Sequence, residues 1–349
     1  MSELSAISQY VVSLETLLGI PLFAVGGSVR DTFIGKTSHD WDFTTPVLPD
    51  DIETAIKQAN LKPFVLGKRF GTVAFIDPNT KEMVEITTFR SEVYKAENRK
   101  PEVIFSSTLQ EDLSRRDFTM NALAVDSKGV LYDFFNGQAD ITNKTICTVG
   151  NAKRRFSEDP LRLLRAIRFA TCLNFSIEEK TWESIVSQKF RLVSISKERW
   201  MQELNLILSS PNVRTGLNLL MSSGLLGIMI PELVIQHGYN QQNIHHDFDL
   251  WTHTLNVVEA VPADNLNLRW AALLHDVAKP FVRTFDEKKQ QAHYVGHDIV
   301  GAEMAKKIGT YLKWSKNQQA EISEIILHHL LPISPLKVYD DGGKKRVSE

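Results

Sequence analysis

The chain is poor in cysteine and has no excess of charge of either sign. Its 349 residues include two cysteines, Cys147 and Cys172, which form no CxxC pair and are too few for a disulfide framework. The 40 lysines and arginines against 42 aspartates and glutamates leave a net charge of −2, which excludes a highly basic chromatin-type binder. Any nucleic acid that the protein binds is therefore expected to contact local basic patches.

The N-terminal segment lacks the features of a secretion signal. It contains no lysine or arginine before Arg30, and Glu15 interrupts its apolar stretch. The longest uncharged stretch there, residues 16–29, is too short to span a bilayer. Together with a length that favours two or three domains, these features predict a folded cytoplasmic protein with no membrane partner.

The pattern along the chain changes near residue 150. Before that point a predicted helix over residues 2–18 is followed by short apolar runs, predicted as strands over 22–25, 41–44, 73–76 and 83–88. After it the strand signals nearly vanish and amphipathic segments recur, broken by glycine, proline or asparagine. Most of the histidines lie in this later part. The sequence thus predicts an α+β head followed by a helical remainder that holds its own chemistry.

A Gly-Gly pair in the head follows an apolar strand directly. Gly26 and Gly27 come after the predicted strand that ends at Val25, and a helix is predicted to begin near Ser28. Glycines at such a place let the backbone pass close to a triphosphate. Taken alone, such a pair after a strand is more often an ordinary turn.

Two aspartates separated by a single residue follow at the next predicted strand. On a strand, Asp40 and Asp42 share one face while Trp41 and Phe43 share the other. Two carboxylates in one site repel each other unless cations lie between them, so the pair suits Mg²⁺ ions roughly 3.5–4 Å apart. The alternative is a solvated face of an edge strand. Glu85, on another predicted strand, is a candidate third carboxylate.

The order of these motifs resembles a known family. The run 26–31 followed by residues 40–42 is similar to the opening motif of the polymerase-beta-like nucleotidyltransferases, specifically the class II tRNA nucleotidyltransferase and bacterial poly(A) polymerase family. Three later blocks fit the rest of the head and the nucleotide-selecting neck helix of that family: residues 85–90, 111–124 and 155–169.

The neck block has a charged face at helical spacing. The run from Ser157 to Pro160 is a helix-start signal with Ser157 as a candidate cap. Spacing of three makes Asp159, Arg162 and Arg165 neighbours, so that the aspartate can orient its arginine, whereas Arg168 lies on the far side. The leucines and isoleucine between these residues are expected to anchor the helix: Leu161, Leu164 and Ile167.

A second constellation lies in the helical part. His253, His275 and Asp276 stand in apolar settings, where a divalent metal would satisfy imidazole and carboxylate together. The pattern resembles the HD phosphohydrolase superfamily, in which His297 and His328 would be further ligands. His329 stands where a closing aspartate is often expected, and the last ligand is left open. The chemistry suits Mn, Ni, Co, Fe or Zn, and the alternative is a helical module that has lost its metal.

The two resemblances imply the architecture and the roles of the site residues. The fold class is α+β, with a polymerase-beta-like head of mixed sheet and helices (1–148), an all-helical neck (149–230) and a helical HD domain (231–349). Asp40 and Asp42 are the implied catalytic residues and Mg²⁺ ligands, and Asp159 and Arg162 read the base. The implied nucleotide-binding residues are Gly27, Arg30, Arg116, Asp159, Arg162, Arg165 and Arg168.

The implied function is template-independent addition of CCA, from CTP and ATP, to the 3′ end of tRNA. A CC-adding enzyme, an A-adding enzyme and a poly(A) polymerase are close alternatives; segment 87–110 is long enough for the mobile loop of full CCA adders. A metal-dependent HD phosphohydrolase and an inactive RNA-binding protein are alternatives of other classes. RNA is expected along a strip formed by Lys153, Arg154, Arg155 and later lysines of the helical part. The sequence does not indicate an oligomeric state.

Overall fold

The computed structural model describes residues 3–36, 41–95, 98–106, 108–242 and 249–330. It divides into two compact units, Met1–Ile195 and Ser196–Glu349. The division into three domains at residues 148 and 230 stays a prediction.

The first unit combines a large sheet with helices. Its helices are α1 (Glu3–Leu18), α2 (Gly27–Phe33), α3 (Pro49–Gln58), α4 (Leu109–Ser114), α5 (Gly137–Thr142), α6 (Ala152–Glu158), α7 (Leu161–Leu173) and α8 (Glu179–Gln188), and short 3₁₀ turns cover Lys68–Phe70, Thr119–Asn121 and Lys189–Ser194. Its strands are β1 (Phe23–Val25), β2 (Trp41–Thr45), β3 (Phe64–Gly67), β4 (Thr72–Ile76), β5 (Met83–Thr88), β6 (Arg90–Lys95), β7 (Asn98–Phe105), β8 (Leu123–Val125), β9 (Leu131–Asp133), β10 (Thr145–Ile146) and β11 (Ser176–Ile177).

Strand β2 lies in the middle of a seven-stranded mixed sheet with the order β3-β4-β5-β2-β1-β8-β9. It runs parallel to β5 and antiparallel to β1. Parallel neighbours need a crossover connection, and α3 lies in the segment that joins β2 to the strands beyond it. The mixed sheet with helices confirms the predicted α+β head.

The apolar spacing of the sequence explains how α1 and β2 pack. Helix α1 buries Ile7, Val11, Leu14 and Leu18, which recur at intervals of three and four and therefore form one face. In β2 the ring of Phe43 is buried and stacks on Trp41 with 6.2 Å between centroids. The face of β2 opposite Phe43 is consequently available for polar groups.

In its described residues, the second unit is helical apart from one hairpin. Its helices are α9 (Lys197–Leu208), α10 (Val213–Ser223), α11 (Leu225–Met229), α12 (Pro231–Val234), α13 (Leu250–Ala260), α14 (Leu266–Leu274), α15 (Lys279–Val282), α16 (His297–Tyr311) and α17 (Lys316–His328), and its strands are β12 (Thr284–Asp286) and β13 (Gln291–His293). Trp270 of α14 is fully buried, and its Nε1 donates to Asn205 Oδ1 at 2.9 Å. The β12-β13 hairpin and the β10-β11 pair are strands that the sequence pattern does not indicate. Across the described ranges, no helix is both long and apolar enough to cross a membrane.

Candidate functional site

The predicted carboxylate site lies on the exposed face of the sheet in the first unit. Asp42 is exposed near the start of β2, and its register partners are Val25 in β1 and Glu85 in β5. Since β2 and β5 are parallel, the side chains of Asp42 and Glu85 leave the same face of the sheet. Glu85 is exposed as well. Asp40 lies outside the described residues, so the predicted Asp40–Asp42 pair stays a prediction.

The Gly-Gly turn lies directly against Asp42. Gly26 has φ 78° and ψ −133°, a conformation that is accessible to glycine and costly for other residues, and α2 begins at Gly27. A Cβ on Gly26 would lie 3.1 Å from Arg116 Nη1 and 3.2 Å from Asp42 Oδ2. Glycine is therefore required here both by backbone conformation and by space. The fold brings together a turn, a carboxylate and a guanidinium that come from three separate sequence blocks.

Arg116 follows the end of α4 and is held by a buried carboxylate. Its Nη2 lies 3.6 Å from Asp112 Oδ2, and its Nε finds no hydrogen-bond partner among the described residues. Burial lowers the pKa of the Arg116 guanidinium, and the negative charge of Asp112 acts in the opposite direction. Burial also disfavours the charged form of Asp112, but Arg115 and Arg116 hold its pKa below the usual range. The result is a positive group fixed beside Asp42.

Arg30, another predicted nucleotide-binding residue, points into the protein. It is 9% exposed, and its Nη1 donates to Asn121 Oδ1 at 2.7 Å. Its Nε and Nη2 donate to Asp31 Oδ1 at 2.9 and 2.7 Å. These contacts tie α2 to the 3₁₀ turn that holds Asn121. Gly27, at the first position of α2, remains at the surface of the turn as a half-buried residue.

The neck block forms two helices, and the predicted serine cap is wrong. Ser157 lies in the last turn of α6, where its hydroxyl donates to the Lys153 carbonyl at 2.8 Å. The break falls at Asp159, which is extended because the residue before a proline avoids the helical conformation. Asp159 Oδ1 then accepts from Leu161 N at 3.1 Å at the start of α7.

Glu158, and not Asp159, is the carboxylate that orients Arg162. Glu158 Oε2 lies 3.0 Å from Arg162 Nη1, and Arg162 Nη2 donates to the Arg115 carbonyl at 2.9 Å. Helical spacing predicts the Asp159 pair, but Asp159 lies outside both helices while Glu158 ends α6. The predicted anchoring residues are confirmed, because all three are buried: Leu161, Leu164 and Ile167.

The other two arginines of α7 have different partners. Arg165 Nε donates to Asp117 Oδ2 at 2.7 Å, and the Arg168 guanidinium lies over the Phe169 ring, 3.7 Å from its centroid. Burial raises the cost of charging Asp117, yet Arg165 and Asn121 hold its pKa well below the usual range.

Arg155 does not belong to an exposed basic strip. Its Nη2 donates to the Ser114 carbonyl at 2.8 Å, and its Nη1 pairs with Glu158 Oε2 at 2.8 Å. Arg154 and Lys153 are exposed, as the strip requires. Arg155 and Glu158 are site-supporting residues that sequence reasoning missed, although the Arg-x-x-Glu spacing within a helix is a signal for such a pair.

The segment predicted as a mobile loop forms a hairpin. Strands β6 and β7 pair antiparallel in a sheet of their own, next to α4. The side chains of Tyr94, Arg99, Lys100 and Pro101 lie outside the described residues.

The second unit brings the predicted histidine and aspartate residues together. His253 lies in α13, and His275 and Asp276 follow α14 directly. His253 Nε2 and His275 Nε2 lie 3.3 and 3.0 Å from Asp276 Oδ2. These three side chains form one group that could hold a metal ion.

His297 and His329 complete the cluster on the other carboxylate oxygen. Their Nε2 atoms lie 3.3 and 3.8 Å from Asp276 Oδ1. His329, and not the predicted His328, joins the cluster, and His328 is exposed. The spacing of the buried Ile322 and Ile326 on α17 continues to position 329, a signal that could have identified it.

The cluster is arranged for binding a cation. Burial disfavours a charged Asp276, yet the neighbouring imidazoles of His253 and His275 hold its pKa well below the usual range. Nδ1 of His275 lies 2.8 Å from the Ala272 carbonyl, and Nδ1 of His297 lies 2.7 Å from the Tyr294 carbonyl. A carbonyl that accepts from Nδ1–H leaves Nε2 as the ligand atom, which is the usual support of a metal-binding histidine.

Three segments of the chain match known protein families. Residues 22–147 match the poly(A) polymerase head domain, residues 174–235 match the probable RNA and SrmB-binding site of polymerase A, and residues 250–345 match the HD domain.

Curated relatives and solved structures agree with these matches. The CCA-adding enzyme of Geobacillus sp. (strain WCH70) is 42% identical over 208 residues, which is 59% of this chain and 50% of that protein. The CCA-adding enzyme of Staphylococcus aureus (strain MRSA252) is 41% identical over 236 residues, which is 66% of this chain and 56% of that protein. The chain thus spans about half the length of the curated relatives it matches.

The structural likeness covers most of the chain. The crystal structure of the Bacillus stearothermophilus CCA-adding enzyme in complex with CTP has a TM-score of 0.65 at 27% identity, covering 93% of this chain and 70% of that one. The Thermotoga maritima CCA-adding enzyme complexed with tRNA has a TM-score of 0.58 at 20% identity, covering 94% of this chain and 79% of that one, and supports the fold alone. In sequence and fold the chain is therefore similar to the CCA-adding enzymes, and it contains segments that match, in order, the poly(A) polymerase head domain, the RNA-binding site of polymerase A and the HD domain.

Proposed function

We propose that this protein is a CCA-adding tRNA nucleotidyltransferase that uses CTP and ATP. The proposal depends on one observation: Asp42 and Arg116 lie against the turn at Gly26, and Glu85 is the register partner of Asp42. A nucleoside triphosphate and its metal require carboxylates, a glycine turn and a fixed positive charge close together. The CCA-adding enzymes named above support the choice of substrates.

Different residues of the head would bind the metal and the triphosphate during nucleotidyl transfer. Asp42, together with Asp40, would hold Mg²⁺, and Glu85 is a third candidate ligand. The donor set fits this ion, because Mg²⁺ prefers carboxylate oxygens, and when bound it lowers the pKa of the attacking 3′-hydroxyl. The missing Cβ of Gly26 lets the side chains of Asp42 and Arg116 lie directly against the turn, and Arg116 would supply positive charge to the phosphate oxygens. The RNA 3′-oxygen forms a bond to the α-phosphorus, and pyrophosphate leaves.

The neck helix would select the base. Asp159 and Arg162 are the proposed base-reading pair, since a carboxylate accepts and a guanidinium donates, and cytosine and adenine each offer both kinds of partner. Arg165 and Arg168 belong to the same proposed nucleotide-binding set, with Gly27 and Arg30 in the head. The contacts of Arg30 with Asp31 and Asn121 favour a supporting role, in which it keeps the turn at Gly27 in place.

The test is nucleotide incorporation into tRNA that lacks its 3′ end. We expect the wild type to add CCA with CTP, ATP and Mg²⁺, and the variant Asp42→Ala to lose incorporation. Asp51→Ala, at an exposed position of α3, is the matched control and should retain it. Sequencing the product ends separates the alternatives: CC-only, A-only or long A-tails would each replace the proposal by the corresponding relative. No incorporation by the wild type would refute nucleotidyl transfer.

A second candidate activity is supported by the cluster around Asp276. With Mn, Ni, Co, Fe or Zn bound, His253, His275 and Asp276 would suit hydrolysis of phosphate monoesters or 2′,3′-cyclic phosphates. Phosphate release that survives Asp42→Ala and disappears in Asp276→Ala would assign this activity to the HD domain. We also propose a cytoplasmic location, because the proposed substrates tRNA, CTP and ATP are found in the cytoplasm.

A further inference from the structure

We propose that Asn121 is a positioning residue that couples the glycine turn of the triphosphate site to helix α7, which carries the proposed base-reading Arg162. Asn121 acts through a continuous chain of side-chain contacts, the Asn121 chain, which consists of Arg30, Asn121, Asp117 and Arg165. The inference rests on the proposed nucleotidyl transfer and deepens it, because it connects the two parts of the site that hold the two ends of the nucleotide.

The glycine turn is one end of the Asn121 chain. Arg30 lies in α2, and its backbone N–H donates to the Gly26 carbonyl at 3.2 Å. Its guanidinium lies beside the same turn, because a Cβ on Gly27 would be 3.6 Å from Arg30 Nη2. A change in the orientation of Arg30 would therefore disturb the turn against which the triphosphate is proposed to bind.

Asn121 contacts its two neighbours with opposite atoms of one amide. It is 6% exposed, its Oδ1 accepts from Arg30 Nη1 at 2.7 Å, and its Nδ2 donates to Asp117 Oδ1 at 3.0 Å. A guanidinium can only donate and an ionised carboxylate can only accept, so the residue between Arg30 and Asp117 must do both. An amide meets this requirement, whereas a carboxylate of the same shape would lose the contact with Asp117.

Helix α7 is the other end of the Asn121 chain. Asp117 Oδ2 accepts from Arg165 Nε at 2.7 Å and lies 2.6 Å from Arg165 Nη2, so two nitrogens of one guanidinium share this oxygen. Hydrogen bonds between charged groups are shorter and stronger than those between neutral groups. Arg165 follows Arg162 by three residues on the same helix. Asp117 therefore fixes the part of α7 that carries the proposed base-reading arginine.

Phe169 packs against the two arginines of the Asn121 chain. The guanidiniums of Arg30 and Arg165 lie 5.1 and 5.2 Å from the centroid of its ring, and the residue is 5% exposed. An aromatic face attracts cations, so this packing connects α2 with α7 without a hydrogen bond. Because it does not involve Asn121, we expect substitution of Asn121 to change the orientation of the arginines and to leave the fold intact.

The coupling predicts an effect on nucleotide selection. A correct base that binds to α7 would, through the Asn121 chain, also stabilise the turn in the position that the triphosphate needs. A wrong base would gain less from this connection. We therefore expect loss of the Asn121 contacts to lower the ratio of kcat/KM for CTP to kcat/KM for UTP about tenfold, as is typical of coupling within one hydrogen-bond network.

The experiment measures this ratio in the full-length protein, with tRNA that lacks its 3′ end. Asn121→Asp keeps the acceptor for Arg30 and loses the donor to Asp117. Asn121→Ser, which is uncharged and smaller, covers the case that a second buried carboxylate prevents folding. We expect the ratio to fall about tenfold in both variants. A merely structural role would reduce the amount of active enzyme equally for both nucleotides, and the ratio would not change.

A matched control replaces a buried amide elsewhere in the chain. Gln236 lies in the second unit, is fully buried, and its Oε1 accepts from Thr254 Oγ1 at 3.0 Å. Gln236→Glu makes the same change from amide to carboxylate outside the Asn121 chain. We expect this variant to keep the ratio of the wild type, even where its free energy of unfolding is lower.

An exchange of the two groups tests the contact between Asn121 and Asp117 itself. The double variant Asn121→Asp with Asp117→Asn places a carboxylate beside Arg30 and an amide beside Arg165, so all three contacts can form again and the ratio should recover. A ratio that stays at the wild-type value in the single variants, or that the exchange does not restore, would overturn the proposal. In that case, incorporation by the wild type would show that only the coupling is wrong, whereas its absence would refute nucleotidyl transfer.

Discussion

Asp42 and Glu85 are register partners on neighbouring parallel strands, and both side chains are exposed. The pairing places a second carboxylate beside Asp42 in the part of the site that the structure describes. Because β2 lies in the middle of the sheet, strands on both sides restrict the backbone that carries Asp42. A rigid strand can hold a carboxylate in a position suited to transition-state charge more accurately than a loop.

The position of Glu85 predicts a direct contribution to metal-dependent transfer. Glu85→Gln keeps the shape of the side chain and removes its charge, so we expect nucleotide incorporation to fall about 100-fold and the Mg²⁺ requirement to rise, as loss of roughly 3 kcal/mol of electrostatic stabilisation would produce. The measurement is a single-turnover rate at several Mg²⁺ concentrations. Glu82→Gln, just before β5, is the control. An unchanged Mg²⁺ dependence would exclude Glu85 as a ligand.

The closeness of Gly26 to Asp42 and Arg116 predicts a steric effect at the site. In Gly26→Ala the new methyl group would meet both side chains, and the positive φ would add backbone strain, so we expect a loss of stability of about 1–3 kcal/mol together with loss of incorporation. Gly35→Ala also has a positive φ, 69°, but its methyl group would meet nothing within 4 Å, so it serves as the control without the steric contact. Equal activity losses in the two variants would contradict the steric explanation. Urea unfolding and incorporation assays provide both measurements.

Because Glu158 pairs with Arg162, we expect its substitution to change both the stability of the fold and the selection of the nucleotide base. Glu158→Gln removes a charge that binds Arg162 and Arg155, and we expect the free energy of unfolding to fall by about 1–3 kcal/mol. Because Arg162 would then move more freely, incorporation of UTP and GTP relative to CTP and ATP should increase. Competition assays with paired nucleotides test this, and Glu179→Gln, exposed in α8, is the control. Unchanged selectivity would argue that Arg162 is positioned by the carbonyl contacts alone.

The lowered pKa of Asp117 predicts a specific dependence of stability on pH. A carboxylate whose pKa is lower in the folded than in the unfolded state stabilises the fold above the unfolded value, about 4, and loses that contribution as the pH falls. The difference in unfolding free energy between the wild type and Asp117→Asn should therefore be largest near pH 7 and shrink below about pH 4. Urea unfolding at pH 7, 5, 4 and 3 measures it, with exposed Asp51→Asn as control. A difference that stays constant with pH would show that the charge of Asp117 is not responsible.

Much of the local structure was predictable because it depends on short-range patterns. The helix over residues 2–18 and the strands at 22–25, 41–44, 73–76 and 83–88 are all present to within a residue or two. Apolar periodicity marks such elements wherever one face is buried. The predicted helix start at Ser157 was wrong because serine occurs both at helix caps and in the last turn of a helix. Only the packing of α6 against neighbouring elements shows that Ser157 belongs to the last turn of α6.

Motif spacing and apolar periodicity along the chain suffice to predict the mixed head, the helical remainder and the residue types of both sites. Several contacts depend on the tertiary structure: Arg162 pairs with Glu158, Arg30 with Asn121, and Glu85 lies beside Asp42. The reason is that a partner is set by which elements converge in space, and Asn121 reaches Arg30 across 91 residues of chain. Spacing along one helix or strand carries no information about that convergence.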